Sequence, residues 1–438
     1  MKSDPAAPDV IIVGGGFSGT MAAAELTKRG LRSVMIEGGD RTGRGTAYST
    51  REAAHLLNVP AASMSAWADA PDDFVAAGHA PEAFAPRREF GAYLRAILDR
   101  AVASGLVEIA EASAVAATRN GDRWSVATAD GRTIEAAALV LAQGNQPPEP
   151  MRVGDDIAPT LFINNPWRGD AQAAIARLAR SGGDALILGT GLTMVDMVLS
   201  LDEAGHRGRI MALSRRGQVP RAHAAYDPTE VALADVPTGE VLMLWRWLRR
   251  SSATDGWRGA VDALRPHSHA IWASLDPGQR GRFLRHARPW WDVHRHRIAP
   301  EVSARLKRMI GEGRLEIVAG RVTAMRAESD GLVVRYSRRT TPSEEREAEF
   351  DAAFNCTGPL GAMARTRDPL LRQLLDDGLV AIDALGMGLA VDDASRAGER
   401  LWALGPLTKG KFWEIVAVPD IRHQVTAVAD DIAEELRP

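Results

Sequence analysis

Asp9-Val10-Ile11-Ile12-Val13-Gly14-Gly15-Gly16-Phe17-Ser18-Gly19 decides how this chain of 438 residues is read. The apolar run at its start predicts a short buried strand, cut off by three glycines. From Phe17 to Arg29 the apolar Met21, Ala24 and Leu26 recur on one side, which predicts a helix that stops at Gly30. Arg32 to Ile36 is predicted to be a second strand, ending at Glu37. Strand, glycine turn, helix and strand in that order form a dinucleotide-binding fingerprint. Gly14 makes the tight turn, Gly16 lets a pyrophosphate approach the backbone, and Gly19 lets the helix lie close to the strand. Glu37 stands where ribose hydroxyls would donate to a carboxylate.

Composition limits what else the chain can be. With 45% hydrophobic and 25% charged residues it matches soluble globular proteins, and it is long enough for two or three domains. A formal charge of -3 leaves no global field toward nucleic acid or an anionic membrane. Cys356 is the one cysteine, so an internal disulfide, a CxxC pair and a cysteine-built metal site are excluded. The start, with Met1-Lys2-Ser3, Pro5 and Pro8, has too short an apolar run for a signal peptide, and no run is long enough for a membrane span. A cytoplasmic protein is the expectation.

Residues 107 to 145 predict a β-meander, with turns at Asn120-Gly121 and Asp130-Gly131 and a last strand ending in Gln143-Gly144-Asn145. A second meander is predicted from Leu315 to Met325, a turn at Ser329-Asp330-Gly331, Leu332 to Tyr336, a charged loop from Arg338 to Glu349, and a strand ending at Asn355 to Pro359. Two meanders imply two copies of one nucleotide-binding architecture. The second copy begins at Ala185 to Leu188 and runs into Gly189-Thr190-Gly191-Leu192-Thr193-Met194, a degenerate fingerprint with Met194 in place of the third glycine, followed by a helix to about Asp202. Its next strand, Arg209 to Leu213, ends in Ser214-Arg215-Arg216 where the first copy has Glu37. A hydroxyl and two guanidinium groups suit a 2′-phosphate, so NADPH is preferred over NADH.

The fold class expected is therefore α/β, with two Rossmann-like domains, the second inserted in the first. Residues 1–158 and 359–438 would bind FAD and 159–358 NAD(P)H. The second unit carries a mostly helical insertion at about 222–305, rich in tryptophan, with His267, His269, His286, His294 and His296 among arginines. The HxH pairs suggest no metal, because the arginines would repel a cation and no carboxylates complete a ligand set. Aromatic and guanidinium groups suit an aromatic or anionic small molecule, or a partner surface; the bland alternative is a subdomain with its tryptophans packed inside. Nothing in the sequence sets the oligomeric state.

Gly43 to Tyr48, His55 to Pro60, Ser214 to His223, Arg285 to Glu301, Asn355 to Pro359 and Leu404 to Asp420 resemble the bacterial FAD/NAD(P)-binding protein family of the YdhS type. That family is related to flavin-containing monooxygenases and other flavoproteins with two dinucleotide-binding domains. The segment Leu57-Asn58-Val59-Pro60, with Met64 to Asp69, looks like the monooxygenases, and the resemblance implies that Asn58 lies beside the reactive edge of the flavin. The FxGxxxH signature of those enzymes is replaced by Phe162 to Trp167. Gly405-Pro406 replaces a Gly-Asp pair, leaving backbone amides or Lys411 and Phe412 to contact flavin.

The candidate cofactor contacts are thus Gly14, Gly16, Phe17, Ser18, Gly19, Glu37, Arg44, Val115 and Gly144 in the first unit. In the second they are Gly189, Gly191, Thr193, Ser214, Arg215 and Arg216, and toward the C-terminus Gly405, Pro406 and Phe412. Cys356 reads as a small buried residue rather than a redox thiol. Three functions compete. The first is a monooxygenase that hydroxylates a small nucleophile at nitrogen or sulfur through a flavin hydroperoxide. The second is an NAD(P)H-dependent reductase serving a protein or quinone acceptor, and the third a flavin-binding sensor without turnover.

Overall fold

The computed structural model describes residues 7–151, 157–329 and 331–437. The reading of Met1 to Ser3 and Pro5, and Asp330 in the second meander's turn, lie outside the described residues. In chain order the strands are β1 (Val10–Val13), β2 (Ser33–Ile36), β3 (Val107–Ala110), β4 (Ala114–Asn120), β5 (Arg123–Thr128), β6 (Thr133–Ala136), β7 (Ala138–Leu141) and β8 (Phe162–Ile163). They continue as β9 (Ala185–Leu188), β10 (Ile210–Ser214), β11 (Leu315–Glu328), β12 (Gly331–Arg338), β13 (Thr341–Phe350), β14 (Ala352–Asn355), β15 (Arg396–Gly398) and β16 (Leu401–Ala403).

The glycine-bounded strand β1 lies inside a sheet of order β15-β16-β7-β1-β2-β3, parallel to both β2 and β7. Both of its faces are covered, which is why it has no polar residue. Val10 and Ile12 pack with Met21 and Phe90 on the helical side, and Ile11 and Val13 with Trp124 and Leu370 on the other. Trp124 belongs to a separate antiparallel sheet, β4-β5-β6. The run from Val107 is thus divided between two sheets, and the meander expected there is this small layer.

The second sheet has the order β13-β12-β11-β10-β9-β14-β8 and repeats the plan, with β9 parallel to β10 and β14 as β1 is to β2 and β7. Here the meander is continuous with the main sheet, because β11 is long enough to pair with β10 over Leu315–Ala319 and with β12 beyond. The charged loop expected from Arg338 to Glu349 is a correction: Thr341–Phe350 forms β13, antiparallel to β12. Nearly all of β13 is exposed, so no apolar alternation marked it. Its charges suit an edge strand, where they discourage pairing with a second chain.

The insertion is helical, as expected. It contains Val241–Ala263, kinked at Gly256 (φ 72°), then Ser268–Ser274, Pro277–Arg282 and Arg288–Arg295. The chain crosses between the large sheets twice, and the crossings are tied together. Asn355 Nδ2 donates to the carbonyl of Glu149 and to Asn164 Oδ1, and the Leu360 N–H donates to the carbonyl of Gln146. No helix among the described residues is long and apolar enough to cross a membrane.

Candidate functional site

At the first fingerprint the backbone is as crowded as the glycines require. Gly14 has φ +107°, and a Cβ there would stand 2.5 Å from the Ala142 carbonyl oxygen. A Cβ on Gly19 would stand 1.8 Å from the oxygen of Gly14, so the helix Phe17–Lys28 lies directly on the turn. Gly16 differs: a Cβ on it would meet only the Cα of Gly45, at 3.5 Å. The space beside Gly16 is open, at a helix N-terminus whose N–H groups favour an anion. The Gly15 N–H donates to Glu37 Oε2 at 2.6 Å, which orients the carboxylate and leaves its other oxygen for a ribose.

Several candidate residues gather around this turn. Gly405 (φ +61°) is so close to Ser18 that its Cβ would lie 2.9 Å from the serine oxygen. The Gly405 N–H is held by Gln424 Oε1, and Pro406 opens the short 3-10 helix Gly405–Thr408. Thr20 Oγ1 and Arg44 Nε are buried with no partner among the described residues, groups that a phosphate or ribose could satisfy. Val115 falls at a β-bulge between Ala114 and Ala116, whose partners on β5 are consecutive, so its backbone groups are free of that ladder. Gly144 (φ +67°) follows β7 with nothing near its Cβ position. These residues fit a dinucleotide. Phe17 contributes backbone at most, because its side chain is buried and packs against Phe90.

The second fingerprint has the same opening geometry. Gly189 (φ +109°) faces the Cys356 carbonyl at 2.2 Å from its Cβ position, and Gly191 is open. Thr193 is half-exposed in the first turn of the helix Leu192–Glu203, and Met194 is wholly buried. Ser214 Oγ hydrogen-bonds Thr190 Oγ1 at 2.8 Å and accepts the Gly217 N–H at 3.0 Å. Arg215 is exposed and has no protein partner among the described residues, whereas Arg216 makes long contacts to the carbonyls of His286 and Arg285 in the insertion. Cys356 is buried, and burial pushes its thiol well above the usual range.

Asn58 sits where the two units meet. Its carbonyl accepts from His223 Nε2 at 2.8 Å, while its side-chain amide makes no hydrogen bond within the described residues. Burial lowers the His223 pKa, which keeps the ring neutral and donating through Nε2–H. Next to Asn58, Arg87 holds the Leu56 carbonyl and forms a buried ion pair with Asp196 at 2.8 Å. His55 Nε2 approaches Ser200 Oγ at 3.0 Å, and Ser200 donates to Glu52 at 2.7 Å. Asp196 and Ser200 both lie on the helix of the second fingerprint, so the Asn58 segment is clasped to the second unit.

The insertion is fastened to the segment that follows Gly405. Trp272 Nε1 donates to the Gly410 carbonyl at 2.9 Å and its ring stacks on Trp413. Phe412 stacks on His269 at 5.3 Å. Lys411 is a correction: it is ion-paired with Asp393 at 2.6 Å, at the surface, rather than waiting for flavin. Its neighbour Lys409, not singled out from the sequence, is half-buried with no ion pair among the described residues, and burial with Arg288 nearby lowers its pKa. Glu414 was missed as well. Burial pushes its pKa up, but Arg295 at 2.9 Å and His296 hold it below the usual range. The visible signal was their place directly after the Gly405 turn. Among the described residues no group of His, Cys, Asp and Glu could hold a metal ion. His267 and His294 instead hydrogen-bond the carbonyls of Val231 and Trp290.

Residues 11–146 match a protein family described as FAD-NAD(P)-binding, so the first unit is a nucleotide-binding one by sequence as well as by geometry. Over 52 residues the chain is 54% identical to (S)-6-hydroxynicotine oxidase of Paenarthrobacter nicotinovorans, a match spanning 12% of this chain and 11% of that protein. Similar solved structures cover nearly the whole fold. The ornithine N-hydroxylase of Kutzneria sp. 744, solved with reduced FAD, NADP+ and L-ornithine, superposes with a TM-score of 0.65 at 16% identity, over 98% of this chain and 100% of that one. The bacillithiol disulfide reductase of Staphylococcus aureus gives 0.61 at 15%, over 98% and 99%. The fold is that of flavoproteins with two Rossmann-like dinucleotide domains.

Proposed function

We propose that this chain is an FAD-dependent, NADPH-using monooxygenase that hydroxylates a small substrate at a nucleophilic nitrogen or sulfur. Residues 1–158 and 359–438 hold FAD and 159–358 hold NADPH. The observation that carries the reading is Asn58: an asparagine at the junction of the two units, its backbone held by a neutral His223 and its side-chain amide without a partner among the described residues. Bound FAD would take electrons from NADPH and pass them to oxygen. Glu37 and the helix N-terminus at Phe17 bind the first nucleotide, and Arg215 with Ser214 marks the 2′-phosphate end of the second. Asn58, on a held backbone, would offer its side-chain amide to bound flavin, where a hydrogen bond counts for more once water is kept away. Disulfide reduction through a pair of cysteines is disfavoured by the residues themselves, since Cys356 is alone and buried.

The test is oxygen uptake by flavin-loaded protein with NADPH and a panel of amines and thioethers. One hydroxylated product per NADPH is expected. NADPH oxidation that needs a quinone or protein acceptor, with no oxygen incorporated, replaces the oxygenase by the reductase.

A further inference from the structure

We propose that the insertion binds a flat, uncharged aromatic group in a tryptophan-lined crevice, and that this group is the body of the substrate. The second clause rests on the oxygenase reading above; the first does not. The crevice is lined by Leu244, Trp245 and Leu248 of the helix Val241–Ala263 together with Ile271, Phe283 and Ala287. Trp272, Trp291 and Trp413 complete it.

Its chemistry is uniform. Ser268 is the one hydroxyl in the lining, and it donates to the Leu264 carbonyl. The indole N–H groups of Trp272 and Trp291 are engaged by the Gly410 carbonyl and by Glu414 Oε1. What remains for a ligand is ring faces, aliphatic carbon and one buried indole N–H, that of Trp413, which has no partner among the described residues; no charged side chain lines the wall. Water finds a single free donor in such a space, fewer than the roughly two to four partners that hold a buried water, so a flat ring entering it displaces none that was well held.

Shape then chooses among apolar groups. Trp272 and Trp413 stack at 4.9 Å and 25°, and Phe283 meets both edge-on, at 5.9 Å and 5.1 Å. Aromatic rings extend such an array by offset or edge contacts, which a saturated chain cannot make. Trp245, Phe283, Trp291 and Trp413 are each only half-buried, so this is an accessible slot rather than a sealed core. The crevice is joined through the chain to the first fingerprint: Gly405, packed against Ser18, lies eight residues before Trp413.

Titration calorimetry of the full-length, flavin-loaded protein with quinoline, acridine and 1-octanol tests the proposal. Saturable quinoline binding with one site is expected, at least tenfold tighter than octanol. Ala287→Phe, which fills the slot, should weaken it tenfold or more with FAD content unchanged. Leu248→Ala, which widens the slot, should raise acridine affinity relative to quinoline. Octanol binding as well as quinoline, no saturable binding, or equal quinoline affinity in Ala287→Phe each overturns the proposal. If Ala287→Phe does not fold, an unchanged acridine-to-quinoline ratio in Leu248→Ala overturns it. Oxygen uptake measured on the same samples separates the two readings. Quinoline bound in the slot with no oxygen incorporated into the amines and thioethers removes the oxygenase and keeps the slot, whereas aromatic amines or thioethers oxygenated equally by Ala287→Phe remove the slot and keep the oxygenase.

Discussion

The two glycine turns share their first two glycines and differ at the third, and the difference shows what each is built to do. Gly14 and Gly189 have φ of +107° and +109°, and both face the carbonyl at the end of a neighbouring strand. Gly16 and Gly191 open their helices with φ of -80° and -85°. At the third position Gly19 admits no Cβ, while Met194 is a full side chain buried in the core of the second unit. The first turn is pressed onto its helix to make a tight cradle. The second gives up that closeness for apolar packing, with Ser214 and Arg215, the residues proposed to select the nucleotide, a strand away.

Replacing the third residue of each turn by alanine should break the comparison hardest. Gly19→Ala forces a backbone clash and should cost on the order of 3 kcal/mol, with FAD content falling to a small fraction. Met194→Ala should cost a similar amount, about 2–5 kcal/mol, through a cavity, and FAD retained after refolding should distinguish it. Thermal unfolding with and without added FAD measures both. Gly16→Val sharpens the point: little in the chain obstructs the new side chain, so the apoprotein should fold and yet fail to bind flavin.

A smaller effect is expected from Arg215→Ala/Arg216→Ala. Charge-assisted contacts of this kind contribute about 1.5–3 kcal/mol, and the ratio of flavin reduction by NADPH to that by NADH should fall by about 10- to 150-fold. An unchanged ratio would take these arginines out of the site. Arg215 should dominate, because Arg216 already leans on carbonyls of the insertion.

Asn58→Ala should leave FAD content and the rate of reduction by NADPH close to wild type while hydrogen peroxide rises at the expense of product. One hydrogen bond is worth about 1–3 kcal/mol when the group left behind is buried. If Asn58 only shapes the turn before Pro60, the variant loses stability and the peroxide yield stays put.

The smallest effect is in pH. His223, His294 and His296 all have pKa values lowered by burial. A histidine kept neutral in the fold takes up its proton first in the unfolded chain. Its contribution is therefore complete above about pH 6.5 and is lost as pH falls below that value toward the folded pKa. The unfolding midpoint should decline from pH 7 to 5.5, and His223→Gln should lessen the decline.

Much of this was legible in the sequence for a definite reason. Phe17–Lys28 and Leu192–Glu203 are marked by glycines whose backbone needs no other residue meets, and both helices begin where those glycines end. Strand β13 was hidden because an exposed edge strand has no buried face to impose alternation. The bulge at Val115 is a matter of register, which pairing with β5 decides and residue type does not. The clasp of Glu52, His55 and Arg87 on Asp196 and Ser200 joins residues more than a hundred positions apart. No local pattern could have announced it, and the same holds for the stacking of Trp272 on Trp413.

The nesting of one sheet within the other sets an order on synthesis. Every strand of the second sheet has been synthesised once Asn355 is added, since β14 is its last strand. The first sheet is then still unfinished, because β7 waits for β16, and Leu139 finds its partner only at Leu401. The helix Phe17–Lys28, which packs on Val418–Glu435, waits longer still. Until the C-terminus emerges, the nascent chain carries an open parallel edge and a bare apolar helix face beside an inner unit that is already able to close. Of the two large sheets, the one begun earlier is thus the one that needs shelter longer.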